Sequence, residues 1–119
     1  MTLNDCSVDF TDASANDWAY AVNQSGKDSS GNTITIIGGT YEGANVINVY
    51  GANHTVTVTG ATLTSNYPNA DVYYGAGIWV EEEKGSSVEA TGNTFNGSNA
   101  VAFNLGTGTT LTESNNTDN

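Results

Sequence analysis

Five aromatic residues stand out as groups that could do chemistry: Trp18, Tyr67, Tyr73, Tyr74 and Trp79. Asp17, Asn66, Asn69 and Asp71 stand beside them in the chain. Rigid aromatic surface next to amides and carboxylates is suited to stacking a sugar ring and bonding its hydroxyls. The competing reading is that these rings roof the turns and cover a core. The carboxylates suggest a second chemistry. Asp9, Asp12 and Asp17 fall close together, and Glu81-Glu82-Glu83 is an acidic run. Calcium takes six to eight oxygens, which several carboxylates could supply. No EF-hand or glycine-aspartate nonapeptide pattern accompanies them, so a solvated acidic face is the plainer expectation, with no cofactor required. His54 has no cysteine or second histidine with which to hold zinc and reads as a corner residue beside Asn53. Cys6 is the only cysteine and reads as a buried structural thiol. It has no internal disulfide partner.

Composition narrows the partners. The 119 residues carry a formal charge of −11, Lys27 and Lys84 are the only cations, and arginine is absent. Phosphate backbones require clustered Lys or Arg, which argues against nucleic acid. Anionic membrane surfaces are disfavoured for the same reason, and no apolar run approaches the roughly 20 residues of a membrane helix. Glycans or a host or cell-surface protein remain as partners.

What positions these residues is a repeat. Thr33-Ile34-Thr35-Ile36-Ile37-Gly38, Thr55-Val56-Thr57-Val58-Thr59-Gly60 and Ser87-Val88-Glu89-Ala90-Thr91-Gly92 align residue for residue, with weaker copies at Thr2-Leu3 and Thr110-Leu111. Each alternates apolar and polar residues as a half-buried strand does. A second apolar residue follows seven positions on: Leu3/Phe10, Ile34/Tyr41, Val56/Leu63 and Val88/Phe95, with Asp118 breaking the rule in the last copy. The copies start 31, 22, 32 and 23 residues apart, a spacing typical of solenoids. A further strand is predicted in each unit at Tyr20-Ala21-Val22, Ile47-Asn48-Val49, Ile78-Trp79-Val80 and Val101-Ala102-Phe103. Its outer two residues should face inward and its middle one outward, which puts Trp79 outside. Stacked units would form inward columns of Leu3, Ile34, Val56, Val88 and Leu111, and of Val22, Val49, Val80 and Phe103. Residues 1–119 are thus expected to form one all-β domain, a parallel β-helix of four to five coils. With Met1 directly before a repeat, it reads as part of a longer solenoid.

The run Ser87-Val88-Glu89-Ala90-Thr91-Gly92-Asn93-Thr94-Phe95-Asn96-Gly97, followed by Ala100-Val101-Ala102-Phe103, resembles the right-handed parallel β-helix repeat of the pectin-lyase-like superfamily. That resemblance covers nearly the whole chain. The fold hosts lyases, hydrolases, epimerases, phage tailspikes and bacterial surface adhesins, and it does not select among them. The Thr-Val-Thr-Val-Thr-Gly and Gly-Gly-Thr-Tyr-Glu-Gly style is most similar to repeats of large secreted or wall-attached bacterial proteins. The family's lyases use an arginine or lysine base with calcium. Its hydrolases use several aspartates with a histidine and an Arg-x-Lys pair. Its epimerase-type Asp-Pro-His is missing here, where Pro68 lies between Tyr67 and Asn69. With no arginine, no catalytic residue is assigned.

The expected function is therefore a structural or adhesive module at the bacterial surface. The alternatives are a polysaccharide-modifying enzyme domain and an ice-binding solenoid. The last rests on the hydroxyl columns Thr33, Thr55, Ser87, Thr110 and Thr35, Thr57, Thr112, interrupted by Asn4 and Glu89. The expected ligand site is a trough about 10 Å across, two strand spacings wide. Gly43 and Ala44 form its floor, Trp18 and Asp17 one wall, and Tyr67, Asp71, Tyr73 and Tyr74 the other, with Trp79 extending the surface. Its acidic groups favour a neutral glycan or a cationic peptide.

Overall fold

The computed structural model describes residues 1–10, 19–67, 75–81, 85–97 and 101–119. All regular structure among them is strand, and three parallel sheets share it. The first sheet holds β1 (Thr2–Asn4), β4 (Thr33–Ile37), β7 (Thr55–Thr59), β10 (Ser87–Thr91) and β13 (Thr110–Ser114). The second holds β2 (Ser7–Val8), β5 (Thr40–Gly43), β8 (Thr62–Ser65), β11 (Thr94–Asn96) and β14 (Thr117–Asp118). The third holds β3 (Tyr20–Gln24), β6 (Asn45–Tyr50), β9 (Ala76–Glu81) and β12 (Val101–Leu105). The chain visits the sheets in turn and pairs each strand with its counterpart one pass earlier. This is consistent with the expected parallel β-helix, each pass being one coil.

The corners recur as regularly as the strands. The residue leaving the first sheet has positive φ in every coil: Asp5, Gly38, Gly60, Gly92 and Asn115. A second such position lies two residues before that sheet, at Gly31, Asn53, Gly85 and Gly108. Glycine and asparagine tolerate this left-handed conformation where other residues are strained. They are therefore what lets a coil turn sharply enough to stack.

The core lies between the sheets and is built of columns. Ile34, Val56 and Val88 run into Leu111, and all but Leu111 are buried. The next inward column is Leu3, Ile36, Val58, Ala90 and Glu113, and the second sheet supplies Val8, Tyr41, Leu63, Phe95 and Asp118. Leu3 thus pairs with Ile36 and not with Ile34, and Val8 takes the place expected for Phe10, which is exposed. The same two-residue shift occurs in the third sheet. Val22 pairs with Ile47, and Phe103 with Ile78, while Gln24, Val49, Val80 and Leu105 make the neighbouring column. A slip of two residues returns every side chain to the same face, so alternation alone does not distinguish the registers.

The outer face of the first sheet carries Thr33, Thr55, Ser87 and Thr110 in one column. The next is Thr2, Thr35, Thr57, Glu89 and Thr112, so the register puts Thr2 where Asn4 was expected. Asparagines close the corner between the first two sheets. Asn93 accepts from the Ala61 amide at 2.9 Å and donates to the Val58 carbonyl at 2.9 Å. Asn116 repeats the arrangement one coil on, accepting from the Asn93 amide and donating to the Ala90 carbonyl.

Candidate functional site

Of the residues expected to bind a ligand, Tyr67 and Trp79 fall within the described residues. Asp17, Trp18, Asp71, Tyr73 and Tyr74 lie outside them. Tyr67 packs on Ala19 and Ala44 in a small apolar cluster beside the main core. Ala44 is fully buried and its amide donates to the Ala19 carbonyl at 2.7 Å. Gly43 lies so close beneath the same segment that a side-chain carbon there would sit 2.8 Å from that carbonyl. Gly43 and Ala44 are therefore not the open floor of a trough. The chain entering β3 covers them, because stacking leaves no gap between consecutive coils.

Trp79 follows its sequence expectation in direction. It pairs with Asn48 on one side and Asn104 on the other, between the core residues Ile78 and Val80. Yet it is only 9% exposed. Tyr20 meets it edge-on, with ring centroids 6.5 Å apart and planes at 63°. Tyr20 was expected to face inward. At the start of the third sheet's strands two consecutive residues meet the core: Val46 and Ile47 belong to it, partly buried Ala21 packs against it beside Val22, and a side-chain carbon on Gly77 would strike Phe95. Two consecutive inward positions reverse the alternation, and Tyr20 reaches the outer face.

A cavity of about 400 Å³ opens on this face, lined by Tyr20, Asn23, Ser25, Asn48, Tyr50 and Glu81. Its size suits a small ligand. Asn48 is 2% exposed, its amide nitrogen donates to Asn23 Oδ1 at 3.0 Å, and its Oδ1 has no partner. Turning the amide over would leave the nitrogen unpartnered instead. A buried polar atom without a partner is uncommon in folded proteins, and here it belongs to a residue lining a cavity. Tyrosine rings supply faces for stacking, amides supply donors and acceptors together, and Glu81 supplies an acceptor. Among the described residues, Glu81 is the one carboxylate of the lining. The arrangement is equipped to bind.

Sequence reasoning placed Trp79 on this face but missed Tyr20, Asn23, Asn48, Tyr50 and Glu81. The signal was the recurring asparagine of Val22-Asn23-Gln24, Ile47-Asn48-Val49 and Phe103-Asn104-Leu105, visible once the triplets are shifted by two residues.

Other reactive groups are occupied structurally. His54 is buried at a corner. Its Nδ1 accepts from the Asn32 amide at 3.0 Å, and its Nε2 lies 3.2 Å from both the Tyr50 carbonyl and Ser29 Oγ. Nδ1 is thus the unprotonated nitrogen, and Nε2–H donates to the carbonyl. Cys6 is half-buried at the edge of the core and not fully enclosed; its Sγ donates to the Asn4 carbonyl at 3.6 Å. Among the described residues no three His, Cys, Asp or Glu side chains gather as a metal site. Asp12, Asp17, Glu82 and Glu83 lie outside them. No helix of the described residues is long and apolar enough to cross a membrane. No family model matches this chain, and comparison with curated proteins and with solved structures finds no match.

Proposed function

We propose that this protein is a non-catalytic structural and adhesive module of a secreted bacterial surface protein, a right-handed β-helix of the pectin-lyase-like kind that binds a neutral glycan. The observation that carries the reading is the outer cavity of the third sheet, lined by Tyr20, Asn23, Asn48, Tyr50 and Glu81. A sugar ring stacks on a tyrosine face, and its hydroxyls bond the amides and Glu81. Glu81 and the chain's charge of −11 disfavour uronates and other anionic polymers. The stacked coils hold these groups on strands, so binding needs little ordering of the protein.

A glycan array followed by calorimetric titration tests this. The Tyr50→Ala and Asn48→Ala variants should lose at least tenfold in affinity for the neutral sugar that the wild type binds. Trp18→Ala and Tyr73→Ala report on the loops instead; if only these weaken binding, the ligand sits on the insertions and not on the sheet. Incubation with uronate polymers and calcium addresses the enzyme alternative, and the appearance of unsaturated ends would overturn the non-catalytic reading. The aligned hydroxyl columns of the first sheet support a second reading, ordering of water or ice. A thermal-hysteresis assay separates the two, and no gap between freezing and melting removes ice binding.

A further inference from the structure

Three consecutive coils build the cavity on the outer face of the third sheet. β3 and the residue after it supply Tyr20, Asn23 and Ser25, β6 supplies Asn48 and Tyr50, and β9 supplies Glu81. Its β3 side brings an amide, a hydroxyl and a ring together. Asn23 and Ser25 are both exposed and lie two residues apart, roughly 7 Å along an extended chain. Asn23 Oδ1 accepts from Asn48 Nδ2 at 3.0 Å, and Asn48 is itself buried. That bond holds the Asn23 side chain by its oxygen and leaves its Nδ2 as the donor offered to the cavity. Tyr20 begins the same strand. Its ring meets the ring of Trp79 edge-on, with centroids 6.5 Å apart, and Trp79 is almost buried, so the Tyr20 ring is braced as an apolar wall. On the far side Tyr50 pairs with Glu81, which puts a second ring beside the carboxylate.

We propose that the sugar selected by this cavity carries an N-acetyl group, so that the ligand is a neutral N-acetylhexosamine glycan; this rests on the glycan reading above. An acetamido group holds an acceptor, a donor and a methyl group in one small planar unit. Its carbonyl accepts from Asn23 Nδ2, its N–H donates to Ser25 Oγ, and its methyl packs on the Tyr20 ring. The pyranose ring lies on Tyr50, and Glu81 accepts from its hydroxyls. A plain hexose has a hydroxyl in place of the acetamido group, which bonds Asn23 but leaves the Tyr20 ring uncovered. A free amino sugar is a cation, which Glu81 and the chain's charge of −11 attract. Its ammonium group has donors only and takes nothing from Asn23. The acetylated sugar alone of the three meets the amide and the ring together.

The test is calorimetric titration with matched trisaccharides of N-acetylglucosamine, glucose and glucosamine, and with the same set in the galactose series. The acetylated member should bind about tenfold or more tighter than both of its partners, the loss expected when a methyl contact and a hydrogen bond go together. Asn23→Asp keeps the size of the side chain and an oxygen for Asn48 but removes the donor, and should abolish most of that preference. Ser25→Ala, on an exposed residue past the end of β3, should lower the same preference and decides the matter if Asn23→Asp does not fold. Circular dichroism confirms the fold of each variant. Equal binding of the hexose, tighter binding of the amino sugar, or an array ligand without an acetamido group would overturn this inference and leave the glycan reading standing. So would an undiminished preference in the folded variants. Binding by no sugar, on the array or in titration, would remove both.

Discussion

Replacing Asn93 by alanine should remove more stability than its small side chain suggests. The residue is 1% exposed and sits where the chain passes from the first sheet to the second. Its Oδ1 takes the Ala61 amide hydrogen at 2.9 Å, and its Nδ2 donates to the Val58 carbonyl at 2.9 Å. Alanine leaves the Ala61 N–H, on a residue itself 1% exposed, with no acceptor. An orphaned buried donor costs about 1–3 kcal/mol, and the lost bond to Val58 adds about 1 kcal/mol. The sum is about 2–4 kcal/mol, a large part of the roughly 5–15 kcal/mol that holds a domain together. Asn116→Ala is the companion measurement. It orphans the Asn93 amide at the more open end of the stack, where water can replace the bond, and should cost about 1 kcal/mol. Urea unfolding followed by circular dichroism reads both, with the midpoint shifting and the slope unchanged. An Asn93→Ala variant within about 0.5 kcal/mol of wild type, the range of ordinary surface changes, would refute the claim that side-chain amides close these corners. So would a larger loss for Asn116→Ala.

Three further substitutions probe the core. Tyr41 is buried, and its hydroxyl lies beside Cys6 without a well-formed hydrogen bond, so Tyr41→Phe should keep or slightly raise stability in thermal or urea melts. Burial pushes the Tyr41 phenol above its ordinary 10.0, and the neighbouring Cys6 adds to the rise. The folded state thus favours the neutral phenol. That contribution is complete below pH about 10 and is lost as pH rises through the higher folded value, so Tyr41→Phe should resist alkaline unfolding better than wild type. Val58→Asp places an unpaired charge at a fully buried position in the middle of a core column and should cost more than about 4 kcal/mol; wild-type melting would refute the inward assignment. His54→Ala orphans the Asn32 amide and leaves a cavity. It should cost about 3 kcal/mol in the same urea assay.

The strands and corners were legible because they depend on local chemistry. Ile34, Val56 and Val88 alternate with Thr and Ser, and Gly38, Gly60 and Gly92 stand where a left-handed turn is needed. The register of the first coil was not legible. Leu3 fits equally beside Ile34 or Ile36, because both face the core, and only the position of the Asp5 turn against Gly38 decides between them. The same ambiguity hid the column of Asn23, Asn48, Trp79 and Asn104. Trp79's outward direction was readable from Ile78 and Val80 on either side. That Tyr20 would join it was not, because Ala21 and Val22 both meet the core and so break the strict alternation from which its direction was read. The open floor expected at Gly43 and Ala44 was misread for a related reason: short connections such as Glu42-Gly43-Ala44-Asn45 look open in one coil and are covered once the next is stacked on them.

The central claim is that the outer face of the third sheet holds a neutral sugar. Nuclear magnetic resonance tests it most directly, by following the side-chain amides of Asn23 and Asn48 and the indole of Trp79 while a neutral oligosaccharide found on the array is added. The account predicts that the exposed Asn23 amide shifts most, that Asn48, which donates to it, follows, and that the corner amides of Asn93 and Asn116 stay in place. Saturable binding that leaves the Asn48 and Asn23 amides unmoved would contradict it.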